Sequence, residues 1–141
     1  MNLPDVNVLV NALRPDAPAH DACREWLNEA ASSSRPFALT SRVTAGAVRV
    51  LTHPKVFDPP NRTSEVLDEL QRLGAVPNIV WVEPGPRHWA IFDALCRSAD
   101  ARGNLVPDAD LAALAIEHGC RLITLDRDFS RFDGLDWAPP A

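Results

Sequence analysis

The sequence predicts an α/β fold, a three-layer α/β/α domain around a central, mostly parallel sheet. Three observations predict it. Short apolar strand-like runs alternate with helical runs almost throughout. Thirteen prolines and short polar clusters cut the chain into short elements. The length of 141 residues, 46% of them hydrophobic and 23% charged, suits one domain over residues 1–141 that buries its own core.

Residues 2–5 read as a first strand entering Asp5, and Val6 to Leu13 as an apolar helix ended by Arg14-Pro15-Asp16-Ala17-Pro18. His20 to Ala31 is amphipathic, with Ala22, Cys23, Trp26, Leu27 and Ala30 on one face. Phe37 to Thr40 is a strand and Val43 to Leu51 a helix stopped at Thr52-His53-Pro54. Residues 53–62 hold three prolines and read as an exposed loop. Ser64 to Leu73 is a helix closed by Gly74. Ile79 to Val82 is a strand, and Pro86 to about Ala101 a long helix. Asp108 to His118 is an Ala- and Leu-rich helix ended by Gly119, followed by a strand from Arg121 to Leu125. Asp126 to Phe132 is a turn or short helix, and Leu135 to Trp137 a last strand.

Composition narrows the function. Met1 to Asp5 lacks the basic start of a secretory signal, and no apolar run reaches the ~20 residues that span a bilayer, so a cytoplasmic, membrane-free protein is expected. Cys23, Cys96 and Cys120 are odd in number and form no C-x-x-C pair, which points to reduced, buried thiols. A net charge of −5 is not the basic footprint of a nucleic-acid binder. Thirteen of the 14 basic residues are Arg, a side chain suited to phosphate, although genome composition accounts for the bias equally well. The glycines form neither G-x-G-x-x-G nor a P-loop, and there is no G-x-S-x-G elbow. The four histidines lack metal-ligand spacing, and His118, near a helix end, reads as an electrostatic cap.

The chemistry lies in the acids. In a parallel sheet, ligands bind outside the carboxyl ends of the strands. Asp5 ends the first strand, Asp126 ends the strand from Arg121, and Asp108 opens the helix leading into that strand. A crossover helix runs back against its strands, which brings all three to one edge. Each has a bland alternative: Asp108 as an N-cap, Asp126 and Asp128 as turn residues. Asp5 is harder to dismiss, because a carboxylate in an apolar strand needs a cation or donors to compensate it. Clustered carboxylates suit a hard cation such as Mg²⁺ or Mn²⁺, and that combination suits cleavage of a nucleic-acid backbone. Asp110, about 200° round the helix from Asp108, should face elsewhere.

Asp5-Val6-Asn7 also resembles the opening of haloacid dehalogenase-like phosphatases, but their second Asp is Asn7 here. A receiver domain needs a Lys opposite its acids, and Lys55, the one Lys, lies in the Pro-rich loop.

Four motifs in order carry a more specific resemblance. They are Leu3-Pro4-Asp5-Val6-Asn7-Val8-Leu9, Val48-Arg49-Val50-Leu51-Thr52-His53-Pro54, Val106-Pro107-Asp108-Ala109-Asp110-Leu111-Ala112-Ala113-Leu114-Ala115 and Thr124-Leu125-Asp126-Arg127-Asp128-Phe129. With them the chain resembles PIN-domain ribonucleases of the VapC type, toxins of bacterial toxin–antitoxin pairs. The resemblance implies a PIN-like α/β/α domain, Mg²⁺- or Mn²⁺-dependent cleavage of RNA, a VapB-like antitoxin partner and a homodimer. By position, the resemblance implies that Asp5 and Asp108 are the principal metal ligands, Asp126 a further site acid and Asp128 a secondary one. Asn7 and Thr124 match residues that hold such a site by hydrogen bonds. One departure stands out. Many PIN domains carry a Glu on the helix that here runs from Val43 to Leu51, near Thr44 or Gly46, and no acid occurs between Phe37 and Lys55. That gap motivates one alternative, a non-catalytic or antitoxin-regulated RNA- or protein-binding module on this fold; a small phosphatase on a similar α/β fold is another.

Overall fold

The computed structural model describes residues 1–141. Its core is a five-stranded sheet of β1 (Asn2–Pro4), β2 (Phe37–Leu39), β3 (Ile79–Trp81), β4 (Arg121–Ile123) and β5 (Trp137–Ala138), ordered β3-β2-β1-β4-β5. Every pairing is parallel. The helices are α1 (Val6–Leu13), α2 (His20–Ser32), α3 (Ser41–Leu51), α4 (Thr63–Leu73), α5 (His88–Ala99) and α6 (Leu105–Glu117). A 3₁₀ turn spans Arg127–Arg131.

This strand order has one consequence for function. From β1 the chain steps to β2 and β3 on one side, then returns to β4 on the other side of β1. Parallel crossovers are right-handed, so the reversal moves the helices to the opposite face. α1 packs on α2 and α3, and α3 on α4, while α5 packs on α6. The sheet's switch point therefore falls between β1 and β4.

The two helices nearest this point are largely apolar and deeply packed. α1 buries Val8, Leu9, Val10 and Ala12, and α6 buries Ala109 and the whole run Leu111–Ala115. Leu3, Leu9, Leu39, Leu51 and Leu122 are wholly buried around the sheet, each contributing about 1.5–3 kcal/mol by leaving water. The cysteines are free, with Cys23 and Cys120 buried and Cys96 half-buried. No helix is long and apolar enough to cross a membrane.

Three expectations are adjusted. α6 begins at Leu105, three residues before Asp108, because Pro107 lies in the first turn, where a missing N–H costs nothing. Asp108 is thus a first-turn acid and not the N-cap, which is Asn104. α5 begins at His88, since Pro86 and Arg87 form a turn closed by His88 N on the Gly85 carbonyl. The loop over residues 53–62 is tethered, by Asn61 N on the Leu51 carbonyl at 2.8 Å and by Arg14. Arg14, itself buried, donates to the Pro59 carbonyl at 2.8 Å and to Asn61 Oδ1 at 2.9 Å, and lies 4.5 Å over the Phe57 ring.

Candidate active site at the switch point

Parallel register sets the site. Pro4 pairs with Ile123, so Asp5 stands level with Thr124 one residue further along. Asn2 pairs with Phe37, so three residues on Asp5 is also level with Thr40. Asp5 N donates to the Ile123 carbonyl at 2.8 Å and closes the strand. The chain then turns directly into α1, with Asp5 as N-cap.

Asp5 is only 8% exposed, yet it is not unpartnered. Its Oδ1 accepts from Val6 N at 2.6 Å. Its Oδ2 accepts from Thr124 Oγ1 at 2.8 Å and from Asn7 Nδ2 at 3.3 Å. Thr124, wholly buried, uses its full capacity here, because a hydroxyl has one hydrogen and two lone pairs. The hydrogen goes to Asp5, and the oxygen accepts from Asn7 Nδ2 at 3.2 Å and from Asp126 N at 3.0 Å. Asn7 Oδ1 accepts from Leu125 N at 3.1 Å, which ties α1 to the end of β4. Asp126 caps the 3₁₀ turn, its Oδ1 accepting from Asp128 N at 2.9 Å.

Asp108 completes the group. Burial first, and then the charges of Asp126, Asp5 and Asp128, raise its carboxyl from 3.8 to about 6; no hydrogen bond opposes the shift. Burial also raises the Asp5 carboxyl, against the bonds from Thr124 and Val6 N and with help from Asp126. The four acids therefore share one electrostatic field, as three chain segments delivered to one edge should.

The donor set fits a hard divalent cation. It consists of carboxylate oxygens that repel one another, and a cation would relieve that repulsion. No three His, Cys, Asp or Glu side chains form a preformed metal-holding cluster.

The α3 position that lacks an acid has a steric reason at Gly46. A Cβ there would stand 2.8 Å from Val6 Cγ2, because α3 packs closely on α1. Thr44 turns its hydroxyl back to the carbonyls of Thr40 and Ser41 at 3.3 and 3.1 Å.

Asp110 faces away from the four acids, as its helical offset predicts. Its Oδ1 meets His88 Nε2 at 2.6 Å, and its Oδ2 is paired with Arg42. His118, the C-cap of α6, bonds the Glu83 carbonyl at 2.7 Å and so tethers the segment after β3. Glu83 caps α3 by accepting from Ser41 N at 2.8 Å. Sequence reasoning missed Arg42, Glu83 and His88, for which no local motif exists.

A parallel α/β domain with acids gathered at its switch point is the architecture of a PIN-like domain. The family model described as "PIN domain" matches residues 3–135. The chain is 39% identical over 132 residues to "Ribonuclease VapC25" of Mycobacterium tuberculosis, covering 94% of this chain and 93% of that one. It is 39% identical over 136 residues to "Ribonuclease VapC43" of the same species, covering 96% and 92%. The chain belongs to the PIN-domain family and within it to the VapC type. Solved structures agree in fold. VapBC2 from Rickettsia felis, bound to a promoter DNA fragment, matches with TM-score 0.73 at 16% identity over 98% of this chain and 97% of that one. VapC20 of M. tuberculosis, a Sarcin-Ricin loop cleaving toxin, matches with TM-score 0.68 at 17% identity over 99% and 100%.

Proposed function

We propose that this chain is a divalent-metal-dependent endoribonuclease, the toxin of a type II toxin–antitoxin pair, acting in the cytoplasm as a homodimer held in check by a VapB-like protein. The observation that carries the reading is the shared field of Asp108, Asp126, Asp5 and Asp128 at the switch point of a PIN domain. Mutually repelling carboxylates with raised pKa values, gathered at the switch point, mark a functional site. The names of the VapC relatives supply the substrate class, RNA.

Asp5, Asp108 and Asp126 would hold Mg²⁺ or Mn²⁺, with Asp128 beside them. When bound, the ion offsets charge at the scissile phosphate and makes a water more acidic. The chain's own groups do the positioning. Thr124 and Asn7 lock the Asp5 carboxylate, and Thr124 fixes the Asp126 backbone through its N–H. Asp108, free of hydrogen bonds and with its carboxyl raised to about 6 by burial and the neighbouring acids, is the acid most able to adjust to the ion.

The test is cleavage of total RNA by purified protein with Mg²⁺ or Mn²⁺, with chelator, and as Asp5→Asn. Cleavage that needs the metal and disappears in a folded Asp5→Asn protein is expected. Wild-type cleavage by Asp5→Asn would sink the assignment.

A further inference from the structure

A cavity of about 550 Å³ opens on the same carboxyl edge, next to the acids but lined by none of them. Its walls include Thr40, Ser41, Arg42, Glu83, His88 and Asp110. Thr40 is level with Asp5 in the adjoining strand, and Asp110 follows Asp108 on α6. The cavity is therefore the continuation of the active edge from β1 toward β2 and β3.

It carries one permanent cation, Arg42, and two carboxylates, Glu83 and Asp110, each engaged by neighbouring groups. Glu83 is occupied at the α3 N-terminus by Ser41 N. Asp110, with a side chain only 18% exposed, is held by His88 on one oxygen and by Arg42 on the other. Arg42 is the open member, its side chain 53% exposed. A half-exposed guanidinium paired with a carboxylate at the wall of a cavity is suited to contacting a phosphate. His88 Nδ1 is buried without a partner, a cost that packing alone gives no reason to keep. Across the edge, the exposed Arg127 follows Asp126. An RNA strand crossing the sheet would meet a cation, then the acids, then Arg42. A chain of net charge −5 needs such local cations to hold a polyanion.

We propose that this cavity is a subsite for a nucleotide flanking the cleaved bond, with Arg42 contacting its phosphate and Asp110 acting as a positioning residue for Arg42. The proposal rests on the ribonuclease reading above.

Two measurements keep the readings apart. The first is binding of a short single-stranded RNA of random sequence to the Asp5→Asn protein, with and without Arg42→Ala, across a salt series. Arg42→Ala should weaken binding on the order of tenfold and lower the salt slope by about one. The second is steady-state cleavage by otherwise wild-type protein. Arg42→Ala and Asp110→Asn should raise KM and leave kcat near wild type, and Arg42→Lys should recover only part of the loss. Half-exposed Arg42 can be removed without loss of fold, which a thermal melt verifies. Wild-type affinity and salt slope in Arg42→Ala, or a change confined to kcat, overturns the subsite. If the wild type binds RNA through Arg42 but cuts none, the ribonuclease reading fails and the subsite stands. If it binds none, the subsite falls.

Discussion

Thr124 Oγ1 lies 2.8 Å from Asp5 Oδ2 and joins the ends of β1 and β4, residues 119 positions apart in sequence. The same hydroxyl accepts from Asn7 and from the Asp126 backbone, so one atom coordinates three parts of the site. Thr124→Val keeps the shape and deletes that node. Stability should fall by about 1–3 kcal/mol, because donors and Asp5 lose a buried partner. Mn²⁺ affinity should fall about 10–100-fold, the usual effect of removing a group that orients a ligand. Thr124→Ser should restore most of both. Thermal melts and a Mn²⁺ titration read the two effects, and unchanged Mn²⁺ affinity in Thr124→Val would remove the positioning role.

Asp108 makes the metal-free protein pH-sensitive in a defined direction. Its carboxyl titrates at about 6 when folded against 3.8 ordinarily, so the folded state holds the proton more tightly. The stability this gives is complete below 3.8 and is lost as pH rises to about 6. The raised carboxyl of Asp5 acts with the same sign. Without metal, Tm should decline across this window, and Asp108→Asn should melt higher than wild type above it while cutting no RNA. Mn²⁺ should raise Tm more above about 6 than below, where protons compete for Asp108. A metal-induced rise that is the same on both sides would contradict this account.

Much of this site was legible because its signals are local. Asp5 before an apolar run marks a strand end and a helix cap together, and α1 spans Val6–Leu13 as the pattern requires. The start of α6 is less legible, because Pro107 is tolerated in a first turn and Leu105 and Val106 before it carry no capping signal. Asp126 and Asp128 were readable as acids following a strand, but their electrostatic coupling to Asp108 is a property of the assembled sheet. The link from His88 to Asp110 spans 22 positions and has no periodic signature. It exists only because α5 packs on α6. Gly46 likewise read as a missing acid, and only the approach of Val6 gives the reason.

Arg14 turns the proline-rich segment after α3 into a tethered loop, with bonds to Pro59 and Asn61 and the Phe57 ring beneath it. Arg14→Ala should cost about 2–4 kcal/mol, as loss of a buried charged donor with several partners does. Arg14→Lys should rescue little, since an ammonium cannot span both acceptors from one plane. Limited proteolysis should cut first between residues 53 and 62 in Arg14→Ala. An intact loop under conditions that leave the wild type uncut would show that the tether is dispensable.

Gly46 offers a test of why α3 carries no acid. In an ordinary helix interior Gly46→Ala would stabilise by about 1 kcal/mol. Here the new Cβ would stand 2.8 Å from Val6 Cγ2. Val6 is β-branched and stiff at χ1, so it cannot swing aside freely. Gly46→Ala should therefore destabilise by about 1–3 kcal/mol. In a Val6→Ala background the same change should become neutral or stabilising, which gives a coupling measurable in a double-mutant cycle. Val6 follows Asp5 directly, so a side chain entering at position 46 approaches the acids. Gly46→Glu combined with Val6→Ala should then add a carboxylate to the edge and tighten Mn²⁺ binding relative to Val6→Ala alone. Destabilisation by Gly46→Ala that is equal in both backgrounds would show that the contact with Val6 is not what keeps this position a glycine.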